Sequence, residues 1–166
     1  MGWWGFGLLD GDSPADIYHN VAVDYLGGHS LHDDLEDLDL INPKLTCNFY
    51  VFSKKPTQKD IRLAWDKIVH LDKNTYDPYY YIILSLIAMR FGIIITRDQK
   101  KVLRYAINEL LNEASEFKSS KERANHLNLY LEMIEEKYNP PTKYDLQPDG
   151  TFEIVEHNSV RFINSL

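Results

Sequence analysis

Apolar residues recur every three or four positions along most of the chain, which is the spacing of amphipathic α-helices. Several of these segments begin with the reciprocal polar pair of a capping box, and glycine or proline follows where the pattern ends. The capping pairs are Thr57 with Asp60, Thr96 with Gln99, and Ser119 with Glu122. The predicted helices cover residues 13–26, 30–41, 57–71, 77–91, 96–117 and 119–138.

The segment YYYIILSLIAMRF, residues 79–91, differs from the others because it is apolar on nearly every face. A helix that is hydrophobic all round has to be covered on all sides. We therefore expect this helix to form the buried centre of a helical bundle.

Two parts of the chain lack helical spacing. Residues 45–52, LTCNFYVF, are β-branched and aromatic, and they predict a strand or an extended segment. The turn signature at 148–150 indicates short strands near 152–154 and 160–163, for which pairing with 45–52 is one alternative. The expected fold is mainly α, a compact bundle of five to six helices with a minor β or extended element at 45–52 and in the C-terminal arm.

A chain of 166 residues is typical of one domain. We expect a helical domain over residues 1–140, which includes a glycine- and aromatic-rich N-terminal segment, and a C-terminal arm over 141–166 that packs on the same domain. The apolar runs fall short of the ~20 residues that a membrane helix needs, so no membrane association is expected. The single Cys47, and a start that does not look like a signal peptide, favour the reducing cytoplasm.

Charge is divided unevenly along the sequence. Residues 1–43 hold nine acidic residues and no lysine or arginine, whereas residues 44–143 hold 17 basic and 12 acidic residues. Such an acidic segment either packs on the basic helices of its own chain or meets a basic partner or a cation. The formal net charge of −7 disfavours general binding to nucleic acid, which needs clustered lysine and arginine.

The opening, MGWWGFGLLDGDSPAD, combines aromatic residues with closely spaced glycines that let the backbone turn sharply. It lacks the GxxxxGK(S/T) pattern of a phosphate-binding loop, and no strand is predicted before it. Its aromatic side chains suit either a plug against the helical bundle or a recognition surface, because tryptophan is enriched at binding hot spots. We expect Trp4 to be buried and Trp3 to contact a partner.

Asp12, Asp16 and His19 form the strongest candidate for a divalent-ion site, because Asp16 and His19 lie three positions apart on one predicted helix. In the alternative, the two carboxylates only complement the N-terminus of that helix. His29 and His32 in HSLHDD also have helical spacing, but no convincing third ligand follows them. No nucleophile elbow, HExxH or CxxC motif occurs in the sequence. We therefore expect no cofactor and no tightly bound metal.

The opening also resembles an uncharacterised bacterial family of domains of unknown function, whose members begin M-G-x-W-G-x-G, continue with an apolar stretch and then carry N-D-x-A-x-D. The matching positions are Gly2, Trp4, Gly5, Gly7, Asp12 and Asp16. Leu9, Gly11 and Pro14 stand where that family usually has Phe, Asn and Ala. A looser similarity links residues 105–136 to the helical C-terminal half of that family. The resemblance implies that the opening is a hallmark of the domain, and it implies no activity.

The expected function is that of a soluble, non-enzymatic protein-interaction module, acting as an inhibitor or as an immunity or anti-defence factor of a bacterium or phage. Its partner is expected to be another protein with a basic surface. The expected binding residues are Trp3, Asp33, Asp34, Glu36 and Asp37. The alternative function is an ion-binding protein or an ion-dependent enzyme that uses the two aspartates and the histidine of the first helix.

Overall fold

The structure is a computed structural model that describes residues 12–30, 50–52, 55–114, 120–147 and 149–154. Five helices lie in these ranges: α1 (Asp12–His19), α2 (Gln58–Val69), α3 (Tyr79–Arg90), α4 (Arg97–Ala114) and α5 (Ser120–Glu132). Helices α1 and α5 continue into π-helical stretches, Asn20–Tyr25 and Met133–Lys137 respectively. The described strands are β1 (Gly28–Ser30), β2 (Tyr50–Phe52), β3 (Tyr144–Leu146) and β4 (Phe152–Ile154). The predicted fold class, mainly α with a minor β element, is confirmed.

Hydrogen bonds confirm two of the predicted helix starts. At α2 the Thr57 hydroxyl accepts from the Asp60 N–H at 3.3 Å, and the Asp60 carboxylate accepts from the Thr57 N–H at 2.9 Å. At α4 the Thr96 hydroxyl accepts from the Gln99 N–H at 3.2 Å, and the Gln99 amide oxygen accepts from the Thr96 N–H at 2.9 Å. These bonds satisfy donors that a helix N-terminus otherwise leaves unpaired. The third predicted capping box depends on Ser119, which lies outside the described residues.

Helix α3 is the buried centre, as its sequence predicts, because all of its residues from Tyr79 to Arg90 are buried. Helices α1, α2 and α4 pack on it, strand β3 contacts it as well, and α5 packs along α4. A helix covered from several directions has no solvent-facing stripe, which explains its apolar composition. In the described ranges, no helix combines the length and the apolar character needed to cross a bilayer.

The end of α3 is a Schellman motif, in which the Ile93 N–H donates to the Ala88 carbonyl at 2.9 Å and the Gly92 N–H donates to the Met89 carbonyl at 3.2 Å. Gly92 has a φ of 68°, which a residue with a side chain adopts only at a cost. A Cβ atom added there would lie 2.2 Å from the carbonyl oxygen of Pro141. Glycine therefore both ends the helix and lets the chain after α5 approach it.

The apolar stripes predicted for the other helices face the core wherever the structure describes their side chains. Their buried members are Ile17, Val21, Ile61, Ile68, Leu103, Ile107, Leu110, Leu127, Ile134 and Tyr138. Phe117, the last residue of the predicted helix 96–117, lies outside the described residues. The helical spacing of apolar residues was thus a reliable guide to the core face of each helix.

The strands form two separate antiparallel pairs. Strand β1 pairs with β2, with His29 opposite Val51, and β3 pairs with β4, with Asp145 opposite Glu153. Strand β4 therefore pairs with its neighbour in sequence and not with β2, while the predicted strand at 160–163 lies outside the described residues. The short turn between β3 and β4 favours this result, because closing a short loop costs less chain entropy than closing a long one.

The β3–β4 hairpin packs against the helical core. Leu146 is buried, and the Phe152 ring centroid lies 6.5 Å from that of Tyr130 on α5. Arg90 at the end of α3 forms an ion pair with Asp145, with 3.6 Å between Nη1 and Oδ1. These contacts join the strands that follow the prolines to the same core as the helices.

Candidate functional site

Most of the residues predicted to form the hallmark or to bind a partner lie outside the described ranges. They are Gly2, Trp3, Trp4, Gly5, Gly7, Asp33, Asp34, Glu36 and Asp37. Ser30, at the start of the predicted acidic helix, is the last residue of β1, and the rest of that helix falls outside the described residues. The proposed roles of these residues stay predictions.

Helix α1 carries the residues of the predicted ion site. Asp16 and His19 are both exposed, while Ile17 and Tyr18 between them are buried in the core. Asp12 is the first residue of α1, and its side chain lies outside the described part. Among the described residues, no group of three or more His, Cys, Asp or Glu side chains is arranged to hold a metal ion.

Aromatic side chains from α2, from the loop before α3 and from α3 meet on one side of the molecule. The ring centroids of Trp65 and Tyr81 are 4.7 Å apart with an interplanar angle of 51°, and those of Tyr76 and Tyr81 are 6.0 Å apart at 58°. Tyr81 is only 8% exposed, Trp65 is half-buried, and Tyr76 is 37% exposed. We call these three residues the aromatic cluster, with Tyr81 as its floor.

Two carboxylates act on Tyr76 of the aromatic cluster. Burial raises the pKa of Tyr76 to about 12, and the nearby carboxylates of Glu109 and Asp77 contribute to this shift. Burial also raises the pKa of Asp77, although its carboxylate accepts a hydrogen bond of 2.9 Å from the Tyr79 N–H. A raised carboxyl pKa means that the negative charge is poorly stabilised where it is, so a cation placed nearby would be favourable.

A second aromatic contact lies where the π-helical stretch after α1 meets α2 and α3. The Tyr25 and Tyr80 rings stack with centroids 6.2 Å apart, and the Lys67 ammonium lies 5.6 Å from the Tyr25 centroid. A cavity of about 420 Å³ beside Tyr25 also contacts Leu63 and His70. Here the protein already supplies a cation to the aromatic ring, in the geometry of a cation–π contact.

The starts of α2 and α4 lie side by side and form a basic surface. The Gln58 amide joins the start of α2 to the loop before α4, because its Nε2 donates to the Ile94 carbonyl at 2.9 Å and its Oε1 accepts from the Ile94 N–H at 3.1 Å. A cavity of about 450 Å³ at this place is lined by Gln58, Lys59, Arg62, Thr96 and Gln99. This surface differs in charge from the surroundings of the aromatic cluster.

Sequence reasoning did not identify the aromatic cluster as a site. The helical spacing assigned Trp65 to the core-facing stripe of α2, and the tyrosines of α3 were expected in the buried centre. Tyr76 lies in a loop and Glu109 lies on α4, so no linear pattern links them. The available signal was the density of tyrosine in TYDPYYY, residues 75–81.

Comparison of the chain with protein-family models, with curated proteins and with solved structures finds no significant match. The resemblance of the opening to an uncharacterised bacterial family accordingly stays a prediction. The chemistry of the described surface is therefore the basis for a functional proposal.

Proposed function

We propose that this protein is a non-enzymatic interaction module that binds a protein partner with a basic surface. The observation that carries the proposal is the partly exposed aromatic cluster with the carboxylates of Asp77 and Glu109 beside it. Tyrosine and tryptophan are enriched at the centres of protein interfaces, whereas single exposed apolar residues are common on any surface. The negative surroundings favour a positively charged partner.

The division of charge along the sequence supports the same partner. The nine acidic residues of 1–43, without any lysine or arginine, would be attracted to the same kind of basic surface. We propose that Asp33, Asp34, Glu36 and Asp37 contribute to binding, together with Trp3. A module of this kind acts by covering a surface of its partner, which is the basis for an inhibitory, immunity or anti-defence role. The single Cys47 supports action in the reducing cytoplasm.

The proposal is tested by affinity purification from the native host with mass spectrometry, followed by calorimetric titration of the purified pair at increasing salt. We expect the affinity to fall steeply with salt, because attraction between exposed charges is screened. Neutralising the four acidic residues with Asp→Asn and Glu→Gln changes should weaken binding more than it lowers the melting temperature.

A matched control separates a local effect from a change of net charge. It neutralises four exposed carboxylates elsewhere, Asp66, Asp98, Glu136 and Glu153, and should leave the affinity nearly unchanged. Equal weakening by both quadruple variants would mean that only the net charge matters. Lost stability with intact binding would show that the acidic segment packs on its own chain instead.

A further inference from the structure

We propose that the aromatic cluster is a binding site for a cationic side chain, specifically the guanidinium group of an arginine presented by a protein partner. The site consists of the faces of Trp65, Tyr76 and Tyr81 and the carboxylates of Glu109 and Asp77. This inference rests on the proposed function, since it names the group by which a basic partner would be recognised.

The arrangement of the rings suits a cation. Trp65 and Tyr76 each contact Tyr81, and no ring contact joins Trp65 to Tyr76 in the described part of the chain, so the two residues flank the more buried Tyr81. A cation is attracted to an aromatic face when it lies within about 6 Å of the ring centroid, and tryptophan is the strongest acceptor. Lys67 over Tyr25 shows this geometry, at 5.6 Å, in the same protein.

In the part of the chain that the structure describes, the cluster has no cation paired with it. Among the described residues, no lysine or arginine lies over its three rings, and no ion pair is formed by Asp77 or Glu109. Arg123 on α5 donates to the Tyr79 hydroxyl at 2.8 Å. Other acidic residues do have partners, as in the pair Arg90–Asp145. No ion pair of the described residues therefore neutralises Asp77 or Glu109, and a cation from a partner would be favourable beside them.

Arginine fits this site better than a compact ammonium group. Its planar guanidinium stacks on aromatic faces and is more weakly hydrated than an ammonium, so less water has to be removed from it. Its N–H groups also point outward in a fixed fork, which allows a stacked arginine to donate to carboxylates at the edge of the rings. The acceptors that we assign to this role are Asp77 and Glu109, whose charges both act on Tyr76.

The experiment uses the full-length protein and a small probe, N-acetyl-arginine amide, with N-acetyl-citrulline amide as its neutral counterpart. Two-dimensional ¹H–¹⁵N NMR follows the indole N–H of Trp65, whose signal is assigned by its loss in Trp65→Phe. We expect a saturable shift with the arginine probe and none with citrulline. Equal shifts with both probes, or no shift at Trp65, would overturn the assignment.

Variants then test the residues of the site. Tyr76→Leu and Glu109→Gln should each raise the dissociation constant of the arginine probe about two- to fivefold, as expected for loss of one exposed cation–π or charge contact. The matched controls are Tyr105→Leu and Glu136→Gln, which remove an exposed tyrosine and an exposed carboxylate outside the cluster and should leave it unchanged. Melting temperatures check that each variant is folded. Equal effects of Glu109→Gln and Glu136→Gln would overturn the site.

The probe measurement does not depend on the partner, so the two proposals fail separately. If arginine binds at Trp65 but no partner binds with the expected salt dependence, the interaction function is wrong. If a partner binds through the acidic segment and the arginine-specific shift is absent, the function stands and the cation site is wrong.

Discussion

Tyr130, which is fully buried on α5, shows how a single polar atom is satisfied inside this core. Its hydroxyl is hydrogen-bonded to the hydroxyl of Ser85 on α3, and Ser85 donates in turn to the Ile82 carbonyl at 2.6 Å. Because Ser85 uses its only proton for Ile82, Tyr130 is the donor to Ser85. Within the described residues Ser85 is the only partner of the Tyr130 hydroxyl, and burial raises the pKa of that hydroxyl.

Because Ser85 has a second hydrogen-bond partner among the described residues and Tyr130 does not, we predict different losses of stability for substitutions at the two positions. Tyr130→Phe leaves Ser85 still donating to Ile82, so we expect a loss of about 1 kcal/mol in the free energy of unfolding. Ser85→Ala leaves the Tyr130 hydroxyl buried without a partner, and we expect a larger loss, up to about 3 kcal/mol. Urea denaturation of both variants measures the difference. A greater loss for Tyr130→Phe would show that packing of the hydroxyl, and not its pairing, dominates.

The double variant provides the control for this pair. In the Tyr130→Phe background, the Tyr130 hydroxyl is absent, so Ser85→Ala cannot leave it without a hydrogen-bond partner. The second change should then cost clearly less than it does in the wild-type background. Additive losses would mean that the two hydroxyls are not energetically coupled.

At the scale of the elements, glycine at a positive φ ends helical segments in two different environments. Gly27 follows the π-helical stretch after α1 with a φ of 69°, and Gly92 follows α3 with a φ of 68°. No atom of the described residues lies within 4 Å of a Cβ added at Gly27, whereas a Cβ at Gly92 would meet the Pro141 backbone. The two positions therefore share the same backbone strain and differ only in steric contact.

We predict that Gly92→Ala is markedly more destabilising than Gly27→Ala. Both carry the cost of a left-handed conformation, about 1–2 kcal/mol for a residue with a Cβ. Only Gly92→Ala also has to displace the backbone at Pro141, which is less free to move than a side chain. Thermal or urea unfolding of the two variants measures the difference directly. Equal losses would show that the chain after α5 moves away from α3 without cost.

At the scale of the whole molecule, the core is unusually rich in tyrosine. Tyr79 and Tyr81 on α3 and Tyr130 on α5 are buried, and burial raises the pKa of each of these three hydroxyls. Tyr76 joins them, with a pKa raised from 10.0 to about 12. Burying a neutral tyrosine hydroxyl costs little free energy when it is hydrogen-bonded, whereas burying a charged phenolate costs much more because it loses its solvation by water.

This property predicts sensitivity to alkali. Above pH 10 the tyrosines of the unfolded chain release protons that the folded chain retains, so the unfolded state is favoured as pH rises. For Tyr76 the stabilisation is complete below pH 10 and is lost between pH 10 and about 12. Urea denaturation at neutral pH and at steps through this window should show a falling free energy of unfolding. In Tyr76→Phe the decline over this window should be shallower, and an unchanged slope would contradict the role of Tyr76.

The positions of the described helices could be predicted from the sequence because their signals are local. A capping box such as Thr57 with Asp60 involves residues three positions apart, so the sequence itself contains both partners. The predicted helix over 77–91 rests on local signals too, since its all-round apolar composition predicted its burial. Periodicity likewise indicated which face of each amphipathic helix meets the core, since that face is a property of one segment alone.

Strand pairing and the aromatic cluster were decided only by the tertiary structure. The sequence indicated strands near 45–52 and 152–154, but not that β1 pairs with β2 while β3 pairs with β4. Likewise, Trp65, Tyr81 and Glu109 lie on three different helices. The periodicity of one helix indicates on which of its faces a side chain lies, but it does not indicate which other helix packs against that face. The physical reason is that hydrophobic burial is non-directional and rewards any well-packed arrangement. Which residues meet is therefore determined by how the helices pack together in space.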